Sequence, residues 1–209
     1  MEIIGGYPIH SVKMENNQEH WNLMKDFVEQ DKFWKAEEGW ESKTETTRKS
    51  EEVWSKAILP MQNDIFEKFF VFFDKFSPLN CQIGIESWGN RYGKGAHQEL
   101  HDHGSSVFSY TYMLKTFDDE CFRFAVSSRI NYLNATFPKI CEGYYDNKSN
   151  IFWRKFGMEG SIIPEQAEGT LIIFPSNLSH FVLPNKRDEY RVTISGNFYI
   201  EDEIDPLQR

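Results

Sequence analysis

Apolar and polar residues follow different rhythms along this chain, and the changes of rhythm divide it. Residues 1–12 set Gly5, Gly6 and Pro8 among apolar positions, which argues against helix and predicts a short strand or extended arm. Over 14–30, Trp21, Met24, Phe27 and Val28 recur at the spacing of one helical face. Residues 31–49 are polar, with Trp34 and Trp40 among charges, and read as a loop or frayed helix. The strongest helical signal covers 50–76. Ser50 opens one segment, Pro60 opens a second turn or helix, and Ser77, Pro78 and Asn80 end it. Ile65, Phe66, Phe69, Phe70, Phe72, Phe73 and Phe76 are too crowded for one narrow stripe, so this helix is predicted to be largely buried or to touch a partner.

From Cys81 onward the period shortens to that of strands. Ile83, Ile85, Trp88 and Tyr92 mark one strand. Over 107–115, Phe108, Tyr110, Tyr112 and Leu114 fall on one face, with Ser109, Thr111 and Met113 on the other. Residues 118–126 predict a further short strand. Residues 127–160 are irregular and too long for an ordinary connection, and read as a lid or substrate-facing insert. A turn at 164–169 leads into the continuous apolar run 170–174, as a buried strand would look. Residues 184–189 predict a hairpin turn. The last strand, 190–199, turns Arg191, Thr193 and Ser195 one way and Val192, Ile194 and Gly196 the other. The tail 200–209 is acidic and expected to be loose.

Two of these stretches carry chemistry. His97, His101 and His103 lie within seven residues in 95–112, and His180 lies in 169–197. On a strand, alternate residues share a side, so His101 and His103 face together while Asp102 faces away. Oxygen-activating iron sites use two histidines and a carboxylate on one side of the metal, leaving positions open for substrates. His180 is the obvious third ligand if the two stretches are strands of one barrel. A lone exposed histidine would be read as binding nothing; the pair with a matching downstream stretch reads as a metal site.

Composition narrows the classes. With 209 residues the chain suits one domain, divided as an N-terminal helical layer at 1–79 and a β core at 80–199 that carries the insert. Eighteen Phe, nine Tyr and six Trp suit a packed sandwich or barrel with helices against it. The net charge of −9 disfavours nucleic-acid binding through a broad basic face. Three cysteines without a C-x-x-C pair point to a reducing cytoplasm rather than a disulfide framework. No signal peptide and no membrane span are expected. A homodimer through the Phe-rich helix is an expectation to test.

Taken together, Asn90, Arg91 and Tyr92 before His101 and His103, then 109–115, then Gly169 to Ser176, His180, Pro184, Asn185, Arg191 and Asn197 resemble the Fe(II)/2-oxoglutarate-dependent oxygenases. The similarity is to a group of uncharacterised bacterial and phage-borne members, and it covers about 80–126 and 162–199. It implies a mainly β fold with N-terminal helices, a double-stranded β-helix or jelly roll. It implies His101 and His180 as iron ligands, with Fe(II) as metal and 2-oxoglutarate as co-substrate. It implies Arg191 as the partner of the far 2-oxoglutarate carboxylate, which a planar guanidinium matches with two hydrogen bonds. Thr193, and Tyr92 or Tyr112, would add hydroxyl contacts. The competing reading of Arg191 is a surface ion pair with Asp188 or Glu189. The substrate would be a small molecule or a protein side chain. Most of that superfamily has His-x-Asp or His-x-Glu where this chain has His101 and His103. His103 is therefore taken as second ligand. Glu99, sharing the face of His101 and His103 with His97 if the strand is regular, is the alternate. The same stretches also resemble the cupins, which share the architecture but continue with a Glu that this chain lacks. A cupin-like dioxygenase without 2-oxoglutarate, or a non-catalytic metal-binding or interaction module, are the alternatives.

Overall fold

The computed structural model describes residues 2–4, 7–36, 42–74, 81–117, 120–125 and 161–202. The insert expected at 127–160 and the end of the acidic tail lie outside these residues.

Twelve strands are described, in two sheets. They are β1 (Glu2–Ile4), β2 (Tyr7–Lys13), β3 (Lys35–Ala36), β4 (Glu45–Thr46), β5 (Cys81–Tyr92), β6 (Gln98–His101), β7 (Phe108–Lys115), β8 (Phe122–Ala125), β9 (Ser161–Ile162), β10 (Thr170–Pro175), β11 (His180–Val182) and β12 (Arg191–Asp202). The larger sheet runs β1-β2-β10-β7-β12-β5-β4-β3 and the smaller β6-β11-β8-β9. From β5 onward the chain passes back and forth between the two sheets, and every pairing is antiparallel. This is the jelly roll.

Helix α1 (Asn17–Val28) buries Met24 and Val28 as its apolar face requires. Ser50 caps the next helical run by accepting from Val53 N. That run is continuous from α2 (Glu51–Val53) through a π-turn at Trp54–Ile58 to α3 (Leu59–Phe73). Pro60 has no N–H to give to the preceding turn, so a wider turn just before it is the local solution. Ile65, Phe69, Phe72 and Phe73 face inward, while Phe70 and Val71 are 52% and 60% exposed. None of the described helices is long and apolar enough to cross a membrane.

The helices cover the outer face of the larger sheet. Met24, Val53, Met61, Phe69 and Phe72 pack there with Tyr110, Tyr112, Ile194 and Phe198. Phe69 stacks on Phe198 at 3.6 Å between ring centroids. A second cluster, with Met113, Phe122, Phe124, Ile172 and Phe174, fills the space between the sheets. The continuous apolar run of β10 follows, since Leu171 and Ile173 meet the helices and Ile172 and Phe174 face the interior. Strand β12 differs. It sends Val192, Ile194 and Phe198 to the helices, so alternation turns Arg191, Thr193, Ser195 and Asn197 inward. Gly196 is fixed by close approach: a Cβ there would lie 2.0 Å from Glu86 O and 2.6 Å from the Tyr110 ring.

Two expectations differ from what is found. The described parts of 31–49, residues 31–36 and 42–49, include a 3₁₀ turn and the two-residue strands β3 and β4, which extend the edge of β5. Residues 184–189 are not a hairpin turn: β11 pairs with β6 and β8, and β12 with β5 and β7, so the segment is a corner between sheets. Turn-forming residues serve either geometry.

Candidate metal centre

His101 ends β6 and His180 begins β11, directly opposite each other in the ladder. His103 lies two residues beyond the strand, where its backbone N–H donates to Ser176 O at 2.8 Å. Ring centroids are 4.2 Å apart for His101 and His180, 5.1 Å for His101 and His103, and 5.2 Å for His103 and His180. One nitrogen from each of the three lies within 4.8 Å of the others. The expected convergence of two distant segments is what the fold produces.

The rings are oriented from behind. His101 Nδ1 lies 2.8 Å from Glu99 O and His180 Nδ1 lies 3.0 Å from Leu178 O. A carbonyl only accepts, so each Nδ1 carries the proton and each Nε2 presents its lone pair toward the cluster. His103 relies on packing: it stacks nearly parallel to His180 and sits 6.1 Å from the Trp88 ring. Burial is the leading cause that lowers the pKa of all three imidazoles. It brings His103 to about 4, helped by His101, and holds His180 well below the usual histidine range. The rings are neutral at pH 7, which is the form that binds metal.

Glu99 does not belong to this group. His180 pairs with His101 but Val182 pairs with Gln98, so two steps on β11 oppose three on β6. That bulge exchanges faces. Gln98 lines the pocket with the histidines, while Glu99 Oε1 accepts from Ser42 N at 2.6 Å. His97 shares the correction: it is outside the cluster, and its carbonyl accepts from Thr44 Oγ1. Among the described residues the cluster contains no carboxylate.

The inward face of β12 is polar, and its Ser195 lines the pocket. Arg191 is fully buried, its Nη1 donating to Leu183 O at 3.0 Å and its Cζ 5.5 Å from the Tyr92 ring. Arg191 is thus buried rather than at the surface, and Asp188 pairs with Lys94 at 2.8 Å. Tyr92 OH donates to Gln98 Oε1 at 3.0 Å, and burial raises the Tyr92 pKa. Thr193 is buried beside it. Tyr112 is misplaced by the sequence reading. Its hydroxyl donates to Asn17 Oδ1 at 2.6 Å and lies 3.1 Å from His20 Nδ1, on the helix side of the sheet. The alternation of β7 alone already separates it from Thr111, which lines the pocket.

Asn90 is a pocket residue to which the sequence assigned no role. It is 1% exposed and its Nδ2 lies 3.2 Å from Thr193 Oγ1 and 2.9 Å from Ser195 Oγ, while Oδ1 has no hydrogen-bond partner. Exchanging amide O and N, with both hydroxyls donating, would turn an N–H into the pocket for a carboxylate. Phe122 and Phe174 wall His180 at 5.4 and 4.9 Å. Three convergent imidazoles, an inward guanidinium and an unmatched buried amide suit Fe(II) with a dianionic co-substrate.

Comparison with known proteins agrees. A family described as "Putative 2OG-Fe(II) oxygenase" matches residues 86–197. No curated protein matches the chain. Among solved structures, a Pseudomonas putida prolyl-4-hydroxylase is similar at a TM-score of 0.54 and 13% identity, over 92% of each chain. The non-heme alpha-ketoglutarate-dependent carbocyclase SnoK from nogalamycin biosynthesis gives 0.60 and 9%, over 94% of this chain and 80% of its own. HygX from Streptomyces hygroscopicus, with nickel and 2-oxoglutarate bound, gives 0.57 and 11%, over 95% and 84%. At such identities these likenesses speak for the fold. The family match takes in more than half of the chain, from β5 through most of β12, and by it the chain belongs to the 2OG-Fe(II) oxygenases.

Proposed function

We propose that His101, His103 and His180 hold the Fe(II) of this oxygenase, and that Arg191, with Thr193 and Tyr92 beside it, anchors 2-oxoglutarate. The observation that carries the assignment is the meeting of three imidazole nitrogens within 4.8 Å from two distant segments. Bound iron and 2-oxoglutarate supply the chemistry that activates dioxygen and oxidises an unreactive C–H bond. The chain's part is to bind, orient and exclude water. The carbonyls of Glu99 and Leu178 hold the His101 and His180 rings in one tautomer. Arg191, buried behind Tyr92, fixes the distal carboxylate of the co-substrate by charge and fork geometry. Phe122, Phe174 and Trp88 keep the pocket dry.

The substrate is taken to be a small molecule or a protein side chain, and the acidic charge of the chain supports this over a polynucleotide. A reducing cytoplasmic setting is supported by the three cysteines without a C-x-x-C pair, and a homodimer by the exposed Phe70 and Val71 on α3. The test is metal and co-substrate stoichiometry. Wild-type protein loaded anaerobically with Fe(II) should bind one iron, develop a weak visible band on adding 2-oxoglutarate, and release succinate in air. His180→Ala should lose the iron while remaining folded; full iron occupancy in that variant refutes the ligand assignment.

A further inference from the structure

His101 and His180 are held by a hydrogen bond behind the ring, whereas His103 is gripped through its backbone. It stands just past β6, at the head of the turn 103–107 that leads into β7. Ser176, the first residue after β10, holds both ends of that turn. His103 N donates to Ser176 O at 2.8 Å, and Ser176 N donates to Val107 O at 3.1 Å. The Ser176 hydroxyl holds the middle: Ser106 Oγ donates to it at 2.8 Å and lies 3.2 Å from His103 O.

The hydroxyls continue inward as a chain. The Ser176 and Ser109 Oγ atoms are 2.9 Å apart, Ser109 Oγ donates to Asn197 Oδ1 at 2.9 Å, and Asn197 Nδ2 donates to Glu86 Oε2 at 3.4 Å. Counting protons gives this chain one direction. A carboxylate only accepts, so Glu86 takes the amide N–H and leaves Asn197 Oδ1 facing Ser109. Ser109 gives its single proton to that oxygen and therefore accepts from Ser176, which in turn accepts from Ser106. Ser176 and Ser109 are 0% and 1% exposed, so bulk water does not replace a missing link. The sequence reading used Ser176 only as a mark of resemblance and gave these hydroxyls no role.

We propose that Ser176 positions His103 for the metal: its backbone and hydroxyl hold the turn so that an imidazole otherwise fixed only by packing meets the rings of His101 and His180. This rests on the assignment of His103 as an iron ligand. Ser176 is neither in the cluster nor on the pocket wall, so it acts through His103 and is a positioning residue.

The test is a double-mutant cycle on cobalt-loaded protein, with affinity read by chelator competition and the ligand set by the visible Co(II) bands. Ser176→Ala should weaken Co(II) binding by about tenfold, as loss of a partner behind a metal ligand does, and move the bands toward those of His103→Ala. In the His103→Ala background the same change should alter affinity by less than about twofold. A merely structural serine would lower the melting temperature in both backgrounds without this difference in affinity. Ser106→Ala, at a half-buried position, reads the same link if Ser176→Ala fails to fold, and should weaken binding in the same sense. Unchanged affinity in these serine variants, or an equal loss with and without His103, overturns the proposal. A His103→Ala variant that binds cobalt like the wild type sinks the ligand assignment itself, and the proposal with it.

Discussion

Replacing Arg191 by Met separates co-substrate binding from folding. The side chain is fully buried, with Nη1 on Leu183 O at 3.0 Å and the Tyr92 ring beside it. Met has similar reach and fills most of the volume. It exchanges a desolvated cation for an apolar chain, which removes the desolvation cost of the charge. The lost bond from the guanidinium to Leu183 O costs about 1.5–3 kcal/mol of stability. Binding suffers differently. A guanidinium gripping a carboxylate with two charge-assisted hydrogen bonds contributes about 1.5–3 kcal/mol for each. Losing the pair, with part regained from water, amounts to about 3 kcal/mol, or roughly a hundredfold in Kd. The assay is anaerobic titration of Fe(II)-loaded protein with 2-oxoglutarate, following the visible band, with iron content and melting temperature measured on the same sample. Arg191→Met should bind iron normally and 2-oxoglutarate roughly a hundredfold more weakly. A Kd within about threefold of wild type, in a folded and iron-loaded variant, would show that Arg191 does not hold the co-substrate.

Glu99→Gln should leave iron content unchanged, because the β6 bulge turns Glu99 toward Ser42, whereas His103→Ala should lower iron affinity by about tenfold or more; equal loss in both, measured by competitive chelation, would restore Glu99 as a ligand. The metal-free protein should weaken in mild acid. The His103 pKa falls from 6.5 to about 4 on folding, so the unfolded chain takes up the proton first, stability is full above about pH 6.5, and it drains away as pH falls toward 4. That shift bounds the loss from His103 at about 3 kcal/mol, to be read from melts in chelator at pH 7 and pH 5, and a flat profile contradicts it. Gly196→Ala should destabilise by about 3 kcal/mol or more, since its Cβ meets the Glu86 carbonyl at 2.0 Å and backbone must move; near-wild-type urea unfolding would mean that β12 and β5 separate easily.

What was legible in the sequence was periodicity. The two-sided apolar run of β10, the split faces of β12 and the His101, His103 and His180 set could be read because strand alternation fixes which residues meet. What was not legible depended on a single extra residue or on which sheet a strand joins. The bulge in β6 moved Glu99 and His97 off the metal face, and nothing in the residues around Leu100 announces it. The 184–189 segment has hairpin chemistry but turns a corner. Tyr112 was offered as a pocket hydroxyl beside Tyr92, yet β7 points it at Asn17 and His20. Strands β3 and β4 came from a polar stretch because two residues on a sheet edge need only backbone partners. Arg48 reaches Trp88 across forty positions through that same edge, a neighbourhood visible only once β4 is laid against β5.

On β12 the residues offered to reagents and those offered to the helical coat occupy opposite sides of one ribbon. Val192, Ile194 and Phe198 anchor the coat, while Ser195 lines the pocket and Arg191 and Thr193 lie buried on the same side of the strand as Ser195. Drift in catalytic preference can then proceed on one side with little toll on cohesion. The converse is that a core stripped of its first 74 residues would expose a greasy exterior and a wet lumen, a body turned inside out that should precipitate before it could react.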